Sequence, residues 1–213
     1  MDSENIKKTG TTTVGIVCKD GVVLAADKRA TSGNLIVQKD TEKVQNLTPS
    51  IAITMAGTVS DAQLLVRLAR SELKIRQMRN DVESSVKEAA NLLARMVYSN
   101  IRKPSMIPGV SHFLMAGNDE TGNYLYDIFA DGSISFIEQF VSSGSGSVMA
   151  YGLLENQWKK DMSIDEGVDL AFGCINSAVA RDSASGNGID VFTITKDGAK
   201  RVAQKQIDYQ IQK

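Results

Sequence analysis

Histidine is nearly absent from this chain: His112 is the only one among 213 residues. That scarcity weakens every hydrolytic mechanism in which an imidazole acts as the base. Cysteine is almost as rare. Cys18 and Cys174 lie far apart, without CxxC or CxH spacing, so a zinc site of the usual N/S type and a disulfide framework both fall away, and no metal is expected. No stretch approaches the roughly 18 apolar residues of a membrane span, and residues 1–8 lack the apolar run of a secretory signal. A cytoplasmic protein is expected, and the few thiols agree with a reducing compartment. Charge of one sign is missing too. With 24 basic and 25 acidic residues the net charge is -1, which gives no global electrostatic case for nucleic acid or an anionic membrane surface.

Local motifs remove further classes. The run Gly144-Ser145-Gly146-Ser147 looks like a phosphate cradle but lacks the lysine of a P-loop, so no nucleotide and no other cofactor is expected. Asn46-Leu47-Thr48 has the form of a glycosylation sequon, with no secretory signal to expose it.

What is present is the patterning of one domain, with enough apolar residues for a single substantial core. Residues 12–18 and 22–27 read as strands joined at Asp20-Gly21, and further short strands are predicted at 34–39, 43–47 and 51–56. Helical spacing follows from Ser60 to about Arg79 through Leu64, Leu65, Leu68, Ala69 and Leu73, and again from Val82 to Val97. Strands are predicted at 111–116, 123–129 and 133–140. A helix then runs from the Gly144–Gly146 turn to about Trp158, and another from the capping box Ser163/Glu166 to about Arg181. Strands 189–195 and 199–203 close the chain. The order strands, two helices, strands, two helices, strands is not βαβ alternation, and its hairpin turns imply antiparallel sheets. The fold class is therefore α+β: two sheets face to face with a helix pair outside each.

The chemistry is carried by an ordered set of short motifs: Gly10-Thr11-Thr12-Thr13-Val14-Gly15, Ala26-Asp27-Lys28-Arg29-Ala30, Lys43, Met55-Ala56-Gly57, Gly144-Ser145-Gly146-Ser147 and Arg181-Asp182-Ser183-Ala184-Ser185-Gly186. Singly, each reads as strand, turn or cap chemistry. Together, from Gly10 to about Ala203, they resemble the catalytic β subunits of the proteasome, most closely the archaeal type. The resemblance implies the N-terminal nucleophile hydrolase fold, a four-layer αββα sandwich, which agrees with the element order. It also implies a threonine endopeptidase that degrades unfolded polypeptides inside a closed chamber. Two alternatives remain: a non-catalytic structural β-type ring subunit, and a bacterial-type two-ring threonine protease partnered with an ATPase.

By that resemblance residues 1–10 are a leader removed by autocatalytic cleavage of Gly10-Thr11, and 11–213 form the catalytic domain. Thr11 becomes the N-terminal nucleophile. Its freed α-amine, with an unperturbed pKa of about 7.7–8.0, supplies the base that a chain with one histidine otherwise lacks. Lys43 and Asp27 match the family's active-site ion pair. Ser145, Asp182 and Ser185 match the network holding the amine and a water, and Gly57 matches the oxyanion position. Ala30, Thr31, Met55 and Val59 are assigned to the substrate cleft. The implied partners are proteasome α subunits, further β subunits in a heptameric ring within a four-ring cylinder, and a regulatory ATPase acting through the α ring. His112, Trp158 and both cysteines are read as structural, with His112 packed or at an interface.

Overall fold

The computed structural model of the protein describes residues 10–206. In chain order the elements are β1 (Thr12–Cys18), β2 (Gly21–Asp27), β3 (Ala30–Ser32), β4 (Leu35–Gln38), β5 (Val44–Asn46), β6 (Ile51–Thr54), β7 (Ala56–Gly57), α1 (Val59–Asn80) and α2 (Val86–Ile101). There follow β8 (Ser111–Asp119), β9 (Gly122–Ile128), β10 (Ile134–Phe136), β11 (Phe140–Gly144), α3 (Ser147–Gln157), α4 (Ile164–Val179), β12 (Gly188–Thr195) and β13 (Gly198–Gln206). One sheet has the order β11-β1-β2-β12-β13. The second has β10-β9-β8-β6-β5, with β7 paired to the far end of β8. All these pairings are antiparallel.

The period-two alternation of the strands sorts their side chains into three cores. On β2, Val22, Leu24 and Ala26 face Leu114, Ala116 and Leu125 of the second sheet. Val23 and Ala25 face the other way, joining Val14, Ile16 and Cys18 against Leu154, Leu170, Ala171 and Cys174 of α3 and α4. On β8, Phe113 and Met115 pack against Leu65, Ala69, Leu93 and Val97 of α1 and α2. The layers are therefore helix pair, sheet, sheet, helix pair: the α+β four-layer αββα sandwich expected from the element order.

Several boundaries differ from the sequence reading. The strand expected at 133–140 is two strands in different sheets. The chain crosses between them at 137–139, where Ile137 N–H donates to Leu125 O in the second sheet and Gln139 O accepts from Val17 N–H in the first. The strand expected at 34–39 is β4, which joins only β3 in a separate ribbon and exposes Leu35 and Val37. Residues 51–56 divide at Met55 into β6 and β7. Val82 lies before α2 and is exposed, because that helix starts behind its own capping box, Ser85 and Glu88. On α1 the buried stripe is Ala62, Leu65, Val66, Ala69 and Leu73, and Leu64 and Leu68 are exposed rather than buried. The first nine residues of the expected leader lie outside the described residues.

Candidate active site

The strand register brings the motifs to one end of the sandwich. Thr13 pairs with Ala26, so the start of β1 lies beside the end of β2 at Asp27. Thr12 pairs with Gly144 at the end of β11, and Asp27 pairs with Ile189 at the start of β12. From the second sheet β7 approaches the same end. Alternation turns Thr12 toward the face of Val14 and Ile16, against α3 and α4. Thr11, one residue earlier, takes the opposite face and looks into the gap between the sheets.

Asp27 is the electrostatic centre. Its buried carboxylate accepts four hydrogen bonds: from Lys43 Nζ (2.7 Å), Thr12 N–H (2.9 Å), Arg29 N–H (2.9 Å) and Gly186 N–H (2.9 Å). Lys43 is itself buried. Burial pushes its ammonium below the usual lysine range, and the charge and hydrogen bond of Asp27 oppose that shift.

Thr11 Oγ1 donates to the carbonyl oxygen of Gly10 at 2.6 Å, so the hydroxyl lies beside the one peptide bond whose cleavage would free its own nitrogen. The Thr11 N–H donates to Ser145 Oγ at 3.3 Å. Ser145 in turn donates to Asp182 Oδ2 (2.6 Å), which also accepts from Ser185 Oγ (2.7 Å). Ser185 shares a further hydrogen bond with Thr12 Oγ1 at 2.7 Å. One network thus runs from the Thr11 nitrogen through Ser145, Asp182 and Ser185 to Thr12.

Glycine is required where main chain closes on this network. A Cβ on Gly144, whose φ is +94°, would stand 2.0 Å from Thr11 O, and one on Gly146 would stand 2.0 Å from Thr12 Oγ1. Gly57 has φ +102°, and a Cβ there would stand 2.2 Å from Val110 O. Gly144 and Gly57 are in left-handed conformations that only glycine adopts without strain, while Gly146, with φ −88°, is required for its close contact alone.

A cleft opens onto Gly10 and Thr11 and is lined by Ala30, Thr31, Lys43, Met55, Gly57 and Val59, together with Thr41, Ala56, Ala62 and Gln63. The structure thus gathers Thr11, Asp27, Lys43, Ser145, Asp182 and Ser185 into a connected polar site, with Gly57 and the four expected cleft residues beside it. It also adds residues that sequence reasoning missed. Thr12 joins the network, a consequence of alternation applied one residue past Thr11. Arg29 braces the loop carrying Asp182 and Ser185, donating to Asn187 Oδ1 and Ser183 O at 2.7 Å each. Thr41, in the cleft wall, gave no signal, since it sits in the irregular stretch between β4 and β5. Both thiols are inert packing, pushed up to about 12 mainly by burial.

The family model described as "Proteasome subunit" matches residues 7–194. The chain is 42% identical over 207 residues to "Proteasome subunit beta" of Methanosarcina barkeri, covering 97% of this chain and 96% of that one. It is 44% identical over 200 residues to the protein of the same name from Archaeoglobus profundus, covering 93% and 91%. With that of Methanothermobacter thermautotrophicus it shares 41% over 213 residues, covering 100% and 99%. Nearly full-length similarity of this kind, on a four-layer sandwich with these motifs gathered at one end, shows that the chain belongs to the proteasome subunit family, as a β-type subunit of the 20S core.

Proposed function

We propose that the chain is a threonine endopeptidase whose nucleophile is made by cutting its own Gly10–Thr11 bond. The observation that carries this reading is the Thr11 hydroxyl, 2.6 Å from the carbonyl oxygen of Gly10, in a cleft shared with Lys43 and Gly57. In the uncut chain the Thr11 nitrogen is an amide without useful basicity. Once cut, it is an α-amine beside its own hydroxyl, with an unperturbed pKa of about 7.7–8.0.

The amine, directly or through a water, takes the proton from Oγ as that oxygen bonds to the substrate carbonyl carbon. The tetrahedral oxyanion faces the main chain at Gly57, and the Lys43 ammonium favours the ionised nucleophile while Asp27 compensates for its burial. Collapse breaks the C–N bond, the departing amine carries off the proton, and an ester remains on Thr11. A water activated by the same α-amine then hydrolyses that ester. Ser145, Asp182 and Ser185 hold the amine, as Ser145 already holds the amide nitrogen. An extended peptide is read along Thr31 and residues 57–59 as an added strand, with an apolar side chain against Ala30, Met55 and Val59.

The chain acts with α subunits and further β copies in sevenfold rings stacked as a four-ring cylinder, and an ATPase at the α ring delivers unfolded polypeptides. A nucleophile of low intrinsic selectivity is safe only inside such a chamber, which is consistent with a cytoplasmic location. No helix among the described residues is long and apolar enough to cross a membrane.

The test is co-expression with an α subunit, followed by intact-mass measurement and a peptide-cleavage assay. The expected result is a chain shortened by residues 1–10 that hydrolyses peptides, with both properties lost in Thr11→Ala. An assembled particle whose chain still begins at residue 1 identifies a non-catalytic ring subunit instead.

A further inference from the structure

His112, the chain's single histidine, has no part in the reaction above, yet both its ring nitrogens are engaged. Nδ1 lies 2.7 Å from Ser143 Oγ, Nε2 is hydrogen-bonded to Asp127 Oδ1, and the ring stacks on Phe129 at 4.9 Å between centroids. An ionised carboxylate only accepts, so Nε2 carries a proton, and in the neutral ring Nδ1 accepts the Ser143 hydroxyl proton. Ser143 and Asp127 are both buried, so this array is closed to a peptide substrate and is not a second hydrolytic triad.

What the array does is join the two sheets. His112 is on β8 and Asp127 on β9 in the second sheet, whereas Ser143 is on β11 in the first. Each end adjoins a piece of the candidate site. His112 pairs with Ala56, and its neighbour Ser111 pairs with Gly57. Ser143 pairs with Thr13, and its neighbour Gly144 pairs with Thr12 and closes on the carbonyl of Thr11.

We propose that His112 is a positioning residue, a hydrogen-bonded pin through Asp127 and Ser143 that fixes the strand bearing Gly57 against the strand that backs Thr11. The inference rests on the peptidase reading. Thr11 and Gly57 come from different sheets, and the core between the sheets is apolar, so its packing force is non-directional. Beside the Lys43–Asp27 pair, the hydrogen bonds on the two ring nitrogens are directional and add a second constraint between the sheets at this end. A displacement of about 1 Å at a hydrolytic site can lower turnover by about 100-fold, so a pin acting through two strands is expected to matter by about tenfold.

The experiment compares His112→Phe, which keeps the stack on Phe129 and loses both hydrogen bonds, with Ser143→Ala, Asp127→Ala and the isosteric Asp127→Asn, all in assembled particles. Steady-state peptide cleavage is read beside hydrogen–deuterium exchange of peptides covering residues 55–58 and 142–146. The expected result is kcat lowered about tenfold in His112→Phe and about threefold or more in Ser143→Ala. KM stays within about twofold, exchange is faster in those two segments alone, and Asp127→Asn recovers most of the rate lost in Asp127→Ala. Wild-type kcat in His112→Phe and Ser143→Ala, or an effect confined to KM, overturns the pin. A wild-type particle that cleaves no peptide overturns the peptidase reading instead. In that case the exchange data decide the pin: selective loosening of both segments upholds it, and unchanged exchange refutes it.

Discussion

Gly10 stands so close to Ala184 that a Cβ built on it would lie 1.9 Å from Ala184 Cβ and 2.9 Å from Ser145 Oγ. The residue before Thr11 is therefore held against the Asp182–Ser185 loop while it also lines the cleft. Any side chain at position 10 must push away either Ala184 or the serine that holds the Thr11 nitrogen. Gly10→Ala is expected to slow release of the leader at least tenfold, while a chain expressed already starting at Thr11 keeps its peptidase rate. Time-resolved intact mass after assembly with an α subunit measures the first effect, and peptide cleavage the second.

The Asp27–Lys43 pair is unequal in what each partner's removal exposes. Asp27→Ala leaves a buried ammonium and three main-chain N–H groups unsatisfied, a combination expected to cost about 3–5 kcal/mol. Lys43→Met leaves the carboxylate with its three N–H donors and removes a charge that burial already disfavours. It should therefore destabilise distinctly less. Urea unfolding of both variants at pH 7 in an unprocessed Thr11→Ala background measures the difference. Both substitutions, placed in the active chain, are expected to lower turnover more than 100-fold.

The architecture was legible because alternation and turn chemistry act locally, and the hairpin dipeptides Asp20-Gly21, Asp131-Gly132 and Asp197-Gly198 mark their own positions. Most of the failures fall where a partner remote in sequence decides. Nothing local divides 133–140 between two sheets; Leu125 and Val17 do so by hydrogen-bonding its crossing residues. Nothing local shows that Lys28 would be buried, since its anions Asp40 and Asp190 lie elsewhere in the chain. Ser85 and Glu88 carry the same capping signature as Ser163 and Glu166 and mark the start of α2, whereas the apolar spacing extended the helix back to Val82. Among the site residues, the motif set reached those matched by resemblance. Thr12 and Arg29, flanking matched positions, emerge only from contacts with Ser185, Ser183 and Asn187.

Gly144 tests whether main-chain placement of Thr11 matters apart from any polar side chain. Its φ of +94° favours glycine, and an added methyl would meet the Thr11 carbonyl. Strain of this kind costs about 1–3 kcal/mol and would displace Thr11 along with β1. Gly144→Ala is expected to lower kcat at least tenfold with every polar group of the site still present. A chain of normal stability and normal kcat would show that β11 does not set the position of Thr11.

The lowered proton affinity of Lys43 separates activity from stability on the alkaline side. Burial is the main cause, so the folded chain releases this proton at a lower pH than the unfolded chain, whose lysine titrates near 10.4. Between those two values the unfolded state binds more protons than the folded state, and the Lys43 contribution to stability rises with pH. Over the same window the ammonium beside Thr11 is lost, and kcat/KM is expected to fall. The acid limb should follow the α-amine, which must be unprotonated to act as a base, giving a bell-shaped profile. Peptide cleavage from about pH 6 to 10.5 measures the bell. Urea unfolding of the Thr11→Ala chain with and without Lys43→Met, over the alkaline half of that range, isolates the stability term. An alkaline limb that coincides with loss of folding in the Lys43-containing chain would assign the activity loss to unfolding rather than to the lost ammonium.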